Sequence, residues 1–176
     1  SGCSPAPKPQ KALPDFSLTA VTVDGTSPFD LRALRGRVWI ADFIFTRCGG
    51  PCPVLSRGMQ ALSRSLPPEV RLMTVTVDPE GDTPAVLRAY AAALGARYHR
   101  WVFMRGTQAQ TRHLVYAGFR QHLGDGPDAR PPDNLTHSTR FVLVDRNGGV
   151  RVYYDGLSCE EDAAVLARDA RRLARA

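Results

Sequence analysis

The sequence lacks any long apolar run. No stretch of about 18 consecutive apolar residues occurs among its 176 residues, so no segment is long enough to span a bilayer as a helix. It also shows no complete signal peptide, which predicts a mature or trimmed form of the chain. No nucleic-acid-binding motif is present, nor any interleaving of basic with aromatic residues, and we therefore expect no nucleic acid partner.

Neither the charged residues nor the cysteines are concentrated in one part of the chain. The net charge of +6 comes mostly from arginines distributed along the chain, which is typical of a solvated basic surface. The four cysteines, Cys3, Cys48, Cys52 and Cys159, do not form the dense framework of a small secreted disulfide protein. The length and the hydrophobic fraction of 43% predict one domain with a sizeable core.

One short stretch, 45–53, spaces Cys48 and Cys52 as C-x-x-x-C among glycines and prolines. The apolar run at 38–45 predicts a buried central strand before it, and helical spacing of apolar residues over 53–66 predicts a helix after it. Thiols at a helix N-terminus favour thiol chemistry, because the helix dipole and unpaired backbone N–H groups stabilise a thiolate. The alternatives are a structural disulfide or two buried thiols.

The rest of the chain alternates strands with helices. Further strands are predicted at 16–23, 70–77, 101–104, 140–145 and 150–154, and further helices at 83–94, 107–116 and 160–176. Residues 118–134 predict a long loop or partly ordered insertion, and 29–34 a short irregular segment. Residues 1–13 predict a flexible tether before a single domain at 14–176. This order predicts an α/β fold, a central mixed β-sheet flanked by helices on both faces.

Two thiolates are a soft donor pair that suits Cu(I), zinc or an iron–sulfur cluster, and a third ligand would strengthen binding. His137 stands just before the strand predicted at 140–145, beside the position expected for the cysteines. Its position leaves two interpretations open, a metal ligand or a hydrogen-bonded loop histidine. His99, His113 and His122 fit surface or hydrogen-bonded positions.

Asp78 follows the strand predicted at 70–77 and should share a sheet edge with Cys48. It is a candidate for orienting a metal ligand from outside the ligand set, or for a weak ligand itself. The alternative is a carboxylate that caps a loop, a role that Asp82 or Thr83 fits better.

Cys3 follows Ser1 and Gly2, and this tripeptide resembles the end of a bacterial lipoprotein signal. Cys3 is therefore a lipidation candidate, which with a flexible linker would tether the domain to a membrane. The alternative is a stray cysteine. Cys159 is expected to have no role in the site.

These residues together resemble the Sco (SenC) family of copper-handling proteins, whose fold is thioredoxin-like. The resemblance runs from about residue 14 to the C-terminus. Its motifs are Phe45-Thr46-Arg47-Cys48 within C-x-x-x-C-Pro, Val77-Asp78-Pro79 with Asp82-Thr83-Pro84, Trp101 followed by Gly106, and His137-Ser138-Thr139 before Phe141-Val142-Leu143-Val144-Asp145.

The resemblance implies that Cys48, Cys52 and His137 bind copper, as Cu(I), Cu(II) or both. It implies a metallochaperone that delivers copper to, or matures, the dinuclear copper centre of respiratory cytochrome c oxidase. The implied partners are the copper-centre subunit of the oxidase, other copper chaperones and thioredoxin-like reductants. The implied location is extracytoplasmic, in the bacterial periplasm, on a membrane tether.

The sequence departs from the family at Gly49 and Gly50, because the family usually has proline directly after its first cysteine. The departure leaves Gly-Pro-Cys before the helix, as in the Cys-Gly-Pro-Cys of thioredoxin. The alternative function is thus an enzyme, a thiol–disulfide oxidoreductase that reduces cysteines of the oxidase subunit or of other extracytoplasmic proteins. A catalytic zinc site is a third interpretation. Ser138 and Thr139 stand where such oxidoreductases have a proline, which favours metal binding.

Overall fold

The computed structural model describes residues 11–120, 139–157 and 160–176. Within them, eight strands form one mixed sheet. In chain order the strands are β1 (Lys11–Ala12), β2 (Ser17–Val21), β3 (Thr26–Asp30), β4 (Trp39–Ile44), β5 (Arg71–Thr76), β6 (Trp101–Arg105), β7 (Arg140–Val144) and β8 (Gly149–Asp155). Their order across the sheet is β1-β8-β7-β4-β5-β6-β2-β3. β4, β5 and β6 run parallel, and all other neighbours are antiparallel.

Helices cover both faces of this sheet. In chain order the helices are α1 (Cys52–Ser65), α2 (Pro84–Ala93), α3 (Gln108–His113) and α4 (Glu160–Arg175). A 3-10 turn at Leu31–Leu34 and a π-helical turn at Leu114–Gly118 complete the helical elements of the described residues. The start of α2 is as predicted: the Val86 N–H donates to Thr83 Oγ1, and Pro84 occupies the first helical position.

β4 is the central strand because apolar side chains fill both of its faces. All six of its residues are buried, as expected for a parallel strand covered by helices on both sides. Trp39, Ala41 and Phe43 belong to the core on one face, and Ile40 to the core on the other. The predicted run at 38–45 therefore contains the strand, and its one polar side chain is Asp42.

The two cores are built by different helices. The larger helices, α1, α2 and α4, pack on one face through residues at helical spacing, which include Leu55, Met59, Leu87, Leu166 and Ala170. The other face is covered by the 3-10 turn, by the π-helical turn after α3 and by Phe119. The predicted mixed sheet between two helical layers is confirmed.

The predicted tether, 1–13, overlaps the described sheet. Lys11 and Ala12 form β1 against Val150 and Gly149 of β8. Leu13 donates its backbone N–H to Gly148 O at 2.9 Å, and its side chain is buried. The folded domain thus includes Lys11–Leu13. The strand within it, β1, has only two residues, which is too short for an alternating hydrophobic pattern to predict. Residues 1–10 lie outside the described residues.

Two other elements differ from expectation. β3 occupies part of the segment expected to be irregular, and it pairs only with β2 at one edge of the sheet. Pro28 within it hid the strand, since proline is tolerated at a sheet edge but argues against a strand in general. Phe119, in the segment predicted as a loop without core residues, is fully buried, and its ring meets Phe43 edge-on with centroids 5.1 Å apart.

We expect Phe119→Ala to lower the free energy of unfolding by about 3–5 kcal/mol, the usual cost of a large cavity in a packed core. Phe119 also meets the Trp39 ring at 6.0 Å, so the cavity would lie against the central strand. Urea denaturation of the reduced chain measures the effect. Val23→Ala, at a side chain that is 69% exposed, is the control and should change stability by less than about 0.5 kcal/mol.

Candidate metal centre

The loop at residues 45–51, which we call the cysteine loop, joins β4 to α1. It leaves β4 after Ile44, and α1 begins at Cys52. The Cys48 N–H donates to Phe45 O at 3.2 Å, so the loop folds back over the end of the strand. Cys48 is half-buried, whereas Cys52 is only 1% exposed. The loop therefore presents one thiol near the surface and holds the second beneath it.

Both thiols are present in the reduced form, and they hydrogen-bond to each other. Burial raises the pKa of the Cys52 thiol, and the hydrogen bond with Cys48 raises it further, while a hydrogen bond with the Phe45 backbone acts the other way. The expected stabilisation of a thiolate by the start of α1 is thus outweighed at Cys52, because burial penalises the charged form. Cys52 holds its proton until a metal ion or another sulfur replaces it.

The buried carboxylate of Asp82 anchors the start of the cysteine loop. It accepts hydrogen bonds from the Thr46 N–H, at 3.1 Å to Oδ2, and from the Thr46 hydroxyl. It also accepts one from the hydroxyl of Thr76, the last residue of β5. Since these donors come from two neighbouring strands, Asp82 fixes the position at which the chain turns towards Cys48. The expected loop-capping role of Asp82 agrees with these bonds.

Asp78 lies at the sheet edge that also carries the cysteine loop. Its Oδ2 forms an ion pair with Arg47 Nη2 at 2.7 Å, and its Oδ1 accepts the Gly81 N–H at 3.1 Å. A Cβ placed at Gly81 would lie 2.3 Å from Asp78 Oδ2, so a larger residue there would displace the Asp78 carboxylate from Arg47. Asp78 thus contacts the residue just before Cys48. That it orients a metal ligand stays a prediction.

A chain of polar groups lies behind the thiols, inside the sheet. Trp101 Nε1–H donates to Thr74 Oγ1 at 2.9 Å, and the Thr74 hydroxyl donates to Asp42 Oδ1 at 2.5 Å. Asp42 is fully buried, its Oδ2 makes no hydrogen bond to any other described residue, and burial raises its pKa to about 7. Its charge also contributes to raising the pKa of Cys52. Asp42 was not predicted as a functional residue, although a carboxylate inside a predicted central strand was a signal for one.

We expect Asp42→Asn to remove a pH dependence of stability. The Asp42 carboxyl has a pKa of about 7 in the fold, and of about 4 in an unfolded chain. Between these values only the unfolded chain ionises, so stability that is complete below pH 4 is lost as the pH rises through 7. The wild-type free energy of unfolding should fall relative to Asp42→Asn by up to about 1.4 kcal/mol per pH unit in this window.

Urea denaturation of the reduced, metal-free chain between pH 4 and pH 8 measures this difference. The exposed Asp24 provides the control, since Asp24→Asn should keep the wild-type profile. Parallel profiles for the wild type and Asp42→Asn would show that Asp42 ionises normally.

The described residues hold two of the three predicted ligands. Within 11–120, 139–157 and 160–176, no three His, Cys, Asp or Glu side chains gather as a metal-binding group. His99 and His113 are exposed, as expected for surface residues. His137, His122, Cys3 and Cys159 lie outside the described residues, so their predicted roles stay predictions.

The chain re-enters the described structure beside the first half of α1. Thr139 O accepts the Gly156 N–H at 2.7 Å. A Cβ placed at Gly156 would lie 2.2 Å from Leu55 Cδ2 and 2.8 Å from Thr139 O, so this packing requires glycine. Leu55 follows Cys52 by three residues, about one helical turn. Thr139 therefore lies about one turn of α1 away from the buried thiol.

Comparison with known proteins assigns the chain to a family. The SCO1/SenC family model matches residues 5–175. The chain belongs to the SCO1/SenC family. The sequence resemblance to Sco proteins is thus confirmed.

Solved structures of other Sco proteins share the fold. A SCO1/SenC family lipoprotein from Bacillus anthracis is 30% identical, with a TM-score of 0.80 over 95% of this chain and 98% of that one. BsSco is a member of the Sco family of cytochrome c oxidase assembly proteins in which a disulfide switch is identified. It is 27% identical, with a TM-score of 0.77 over 96% of this chain and 97% of that one.

Copper is present in a more distant structure, that of ScoI from Bradyrhizobium japonicum. It is 23% identical, with a TM-score of 0.72 over 90% of this chain and 99% of that one, and this likeness shows the fold alone. The chain spans about two thirds of the length of the curated relatives it matches. Together these structures confirm the thioredoxin-like fold. No helix of the described residues has the length and apolar character needed to cross a bilayer.

Proposed function

We propose that this Sco-family domain is a copper metallochaperone that delivers copper to, or matures, the dinuclear copper centre of cytochrome c oxidase. The observation that carries the proposal is the reduced, mutually hydrogen-bonded pair of thiols, Cys48 and Cys52, at the end of β4. Thiolates are soft ligands that select Cu(I). The 27% identical BsSco, a member of a family of cytochrome c oxidase assembly proteins, supports the proposal.

His137 is the proposed third ligand. It precedes Thr139 by two residues, a length of chain that reaches at most about 7 Å. Thr139 O lies in the tight contact with Gly156 and Leu55, one turn along α1 from Cys52. Imidazole nitrogen beside two thiolates gives a trigonal site for Cu(I), and oxygen ligands or water could add to it for Cu(II).

The redox state of the two thiols would gate metal binding. Oxidation to a Cys48–Cys52 disulfide passes two electrons to an acceptor and releases two protons, and it leaves no thiolate for copper. A thioredoxin-like reductant would reverse it. Copper would leave by ligand exchange, in which the copper-centre subunit of the oxidase supplies a ligand as Cys48, Cys52 or His137 lets go.

The proposed location is extracytoplasmic, in the bacterial periplasm, with the domain held at a membrane by a lipid on Cys3 and a linker over residues 1–10. A lipoprotein relative supports this arrangement. The test compares the Cys3→Ser variant with the wild type: the variant should be released from membranes that retain the wild type.

A second candidate function, thiol–disulfide oxidoreductase, is supported by the same pair of thiols. Cys48 is the more exposed and is placed to attack, while the buried Cys52 is placed to resolve the mixed disulfide. In this alternative, Cys48 attacks a partner disulfide, Cys52 then displaces the partner thiolate, and His137 has no required role.

Anaerobic Cu(I) titration against a chromophoric chelator tests the proposed metal site. Cys48→Ser and Cys52→Ser should each weaken binding by more than about a hundredfold, because a hydroxyl cannot replace a soft anionic ligand. His137→Ala should weaken it by about 10- to 100-fold and leave both thiols titratable. Cys159→Ser is the matched control and should bind like the wild type.

Oxidised wild type should lose Cu(I) binding as the double cysteine variant does, and regain it on reduction. Disulfide turnover is measured in parallel. If His137→Ala bound Cu(I) as tightly as the wild type, and the wild type reduced disulfides rapidly, the oxidoreductase function would replace the metallochaperone proposal.

A further inference from the structure

The end of the sheet opposite the cysteine loop is strongly basic. Two adjoining clefts of about 500 and 360 Å³ open there and share Glu69 and Ala174 in their walls. Five arginines from three separate segments line them, and we call this surface the basic end. The arginines are Arg35, Arg37, Arg146, Arg171 and Arg175.

The topology explains why these arginines meet. Arg35 and Arg37 precede β4, and Arg146 lies in the turn between β7 and β8, where β7 ends antiparallel to β4. Arg171 and Arg175 belong to the last turns of α4. The six residues of β4 separate this end from the cysteine loop by about 20 Å.

Intramolecular hydrogen bonds among the described residues engage only two of these five arginines. Arg146 donates to Ala174 O and Arg171 to Ser65 O, so each satisfies a carbonyl at a helix C-terminus. Arg35, Arg37 and Arg175 make no side-chain hydrogen bond or ion pair with any described residue. Glu69 is the one acidic side chain among the described residues lining the two clefts.

The fold also keeps like charges close together here. The pKa of Arg71 is lowered by burial and then by the charge of the nearby Arg37. Such repulsion opposes folding, and an anionic partner would offset it. Guanidinium groups favour phosphate in particular, because their planar donors match two phosphate oxygens at once.

The described residues that line the clefts expose no large hydrophobic side chain, because Val38 and Leu66 in their walls are buried. Interfaces between proteins usually have an apolar or aromatic centre. The large hydrophobic side chains exposed among the described residues are Val23, Val54, Val86 and Leu157, and none lines the clefts. The headgroup layer of an anionic bilayer offers many phosphates and requires no apolar anchor, so it matches this surface.

We propose that the basic end docks on the headgroups of a bilayer that contains anionic phospholipids, with the cysteine loop facing away from the membrane. The contact depends on charge alone, so it stands or fails independently of copper. With the lipid proposed above for Cys3, the basic end would supply a second attachment to the membrane.

Co-sedimentation of the full chain with vesicles tests the proposal. The wild type should bind vesicles of phosphatidylglycerol with phosphatidylcholine, fail to bind phosphatidylcholine alone, and dissociate at high ionic strength. An arginine near an anionic surface strengthens binding by about fivefold. The triple variant Arg35→Gln/Arg37→Gln/Arg175→Gln should therefore bind about a hundredfold more weakly.

The matched control removes the same charge elsewhere. Arg57→Gln/Arg120→Gln/Arg140→Gln changes three exposed arginines outside the clefts, and it should weaken binding by less than about fivefold. Glu69→Gln provides a gain of function that no folding defect can imitate, since removing the acidic side chain should strengthen binding by about fivefold. Circular dichroism checks that each variant folds.

Several results would overturn the proposal. If the two triple variants bound vesicles equally weakly, binding would depend on net charge and not on the basic end. Tighter binding of poly-glutamate than of anionic vesicles would assign the surface to an acidic protein. Displacement of the chain from vesicles by equimolar inorganic phosphate would assign it to a free anion. No binding to anionic vesicles would leave the basic end without a membrane role.

Discussion

The parallel pairing of β4 with β5 positions the functional groups of this domain. The two strands are paired from Trp39 and Arg71 to Ile44 and Thr76, and nearly all of these residues are buried. Parallel strands end at the same sheet edge, so the cysteine loop and the segment with Asp78 and Asp82 meet there. The hydrogen bonds of Asp82 to both segments then fix their separation. The direction of the strands thus brings the two segments of the site together, and the side-chain hydrogen bonds then set the distance between them.

Burial sets the electrostatic character of the site. Cys52 and Asp42 both lie out of contact with water, and burial raises both pKa values. No cation is among the causes of either shift. Asp78, at the rim, forms an ion pair with Arg47. A metal cation that reaches the thiols therefore enters an interior in which the buried thiol and carboxyl are uncharged. Its charge is neutralised there when it replaces the protons of these groups. Such a site binds metal by exchanging protons for it, so its affinity depends on pH.

The sequence predicted those parts of the fold in which one strong pattern acts alone. The strand at 38–45, the helix after Cys52 and the Thr83–Pro84 start of α2 follow from hydrophobic periodicity and capping. The C-x-x-x-C spacing at the start of a helix predicted where the two thiols lie. The family resemblance predicted the thioredoxin-like fold, which periodicity could not have provided.

The misses share a physical cause, namely that tertiary contacts decided the outcome. β1 is two residues long and exists only through its pairing with β8. Phe119 lies beyond the predicted end of its helix at residue 116, in a segment without clear periodicity, yet it fills the space between Trp39 and Phe43. The direction of the Cys52 pKa depended on how deeply the first turn of α1 is buried, which local sequence does not report. The role of His137 as a ligand stays a prediction.

The edges of the sheet limit how any partner can be recognised. One edge is β1, with only two residues, and the other is β3, where Pro28 has no N–H to donate. At the β3 edge, Pro28 interrupts the row of backbone donors that an incoming strand would need. At the other edge, β1 pairs only with Gly149 and Val150, so the rest of β8 has no strand partner on that side among the described residues. Strand addition, a common way of capturing an extended peptide, is therefore disfavoured at the β3 edge. A partner that approaches the β3 side must therefore be recognised through side chains and loops, which surface substitutions can alter without disturbing the sheet.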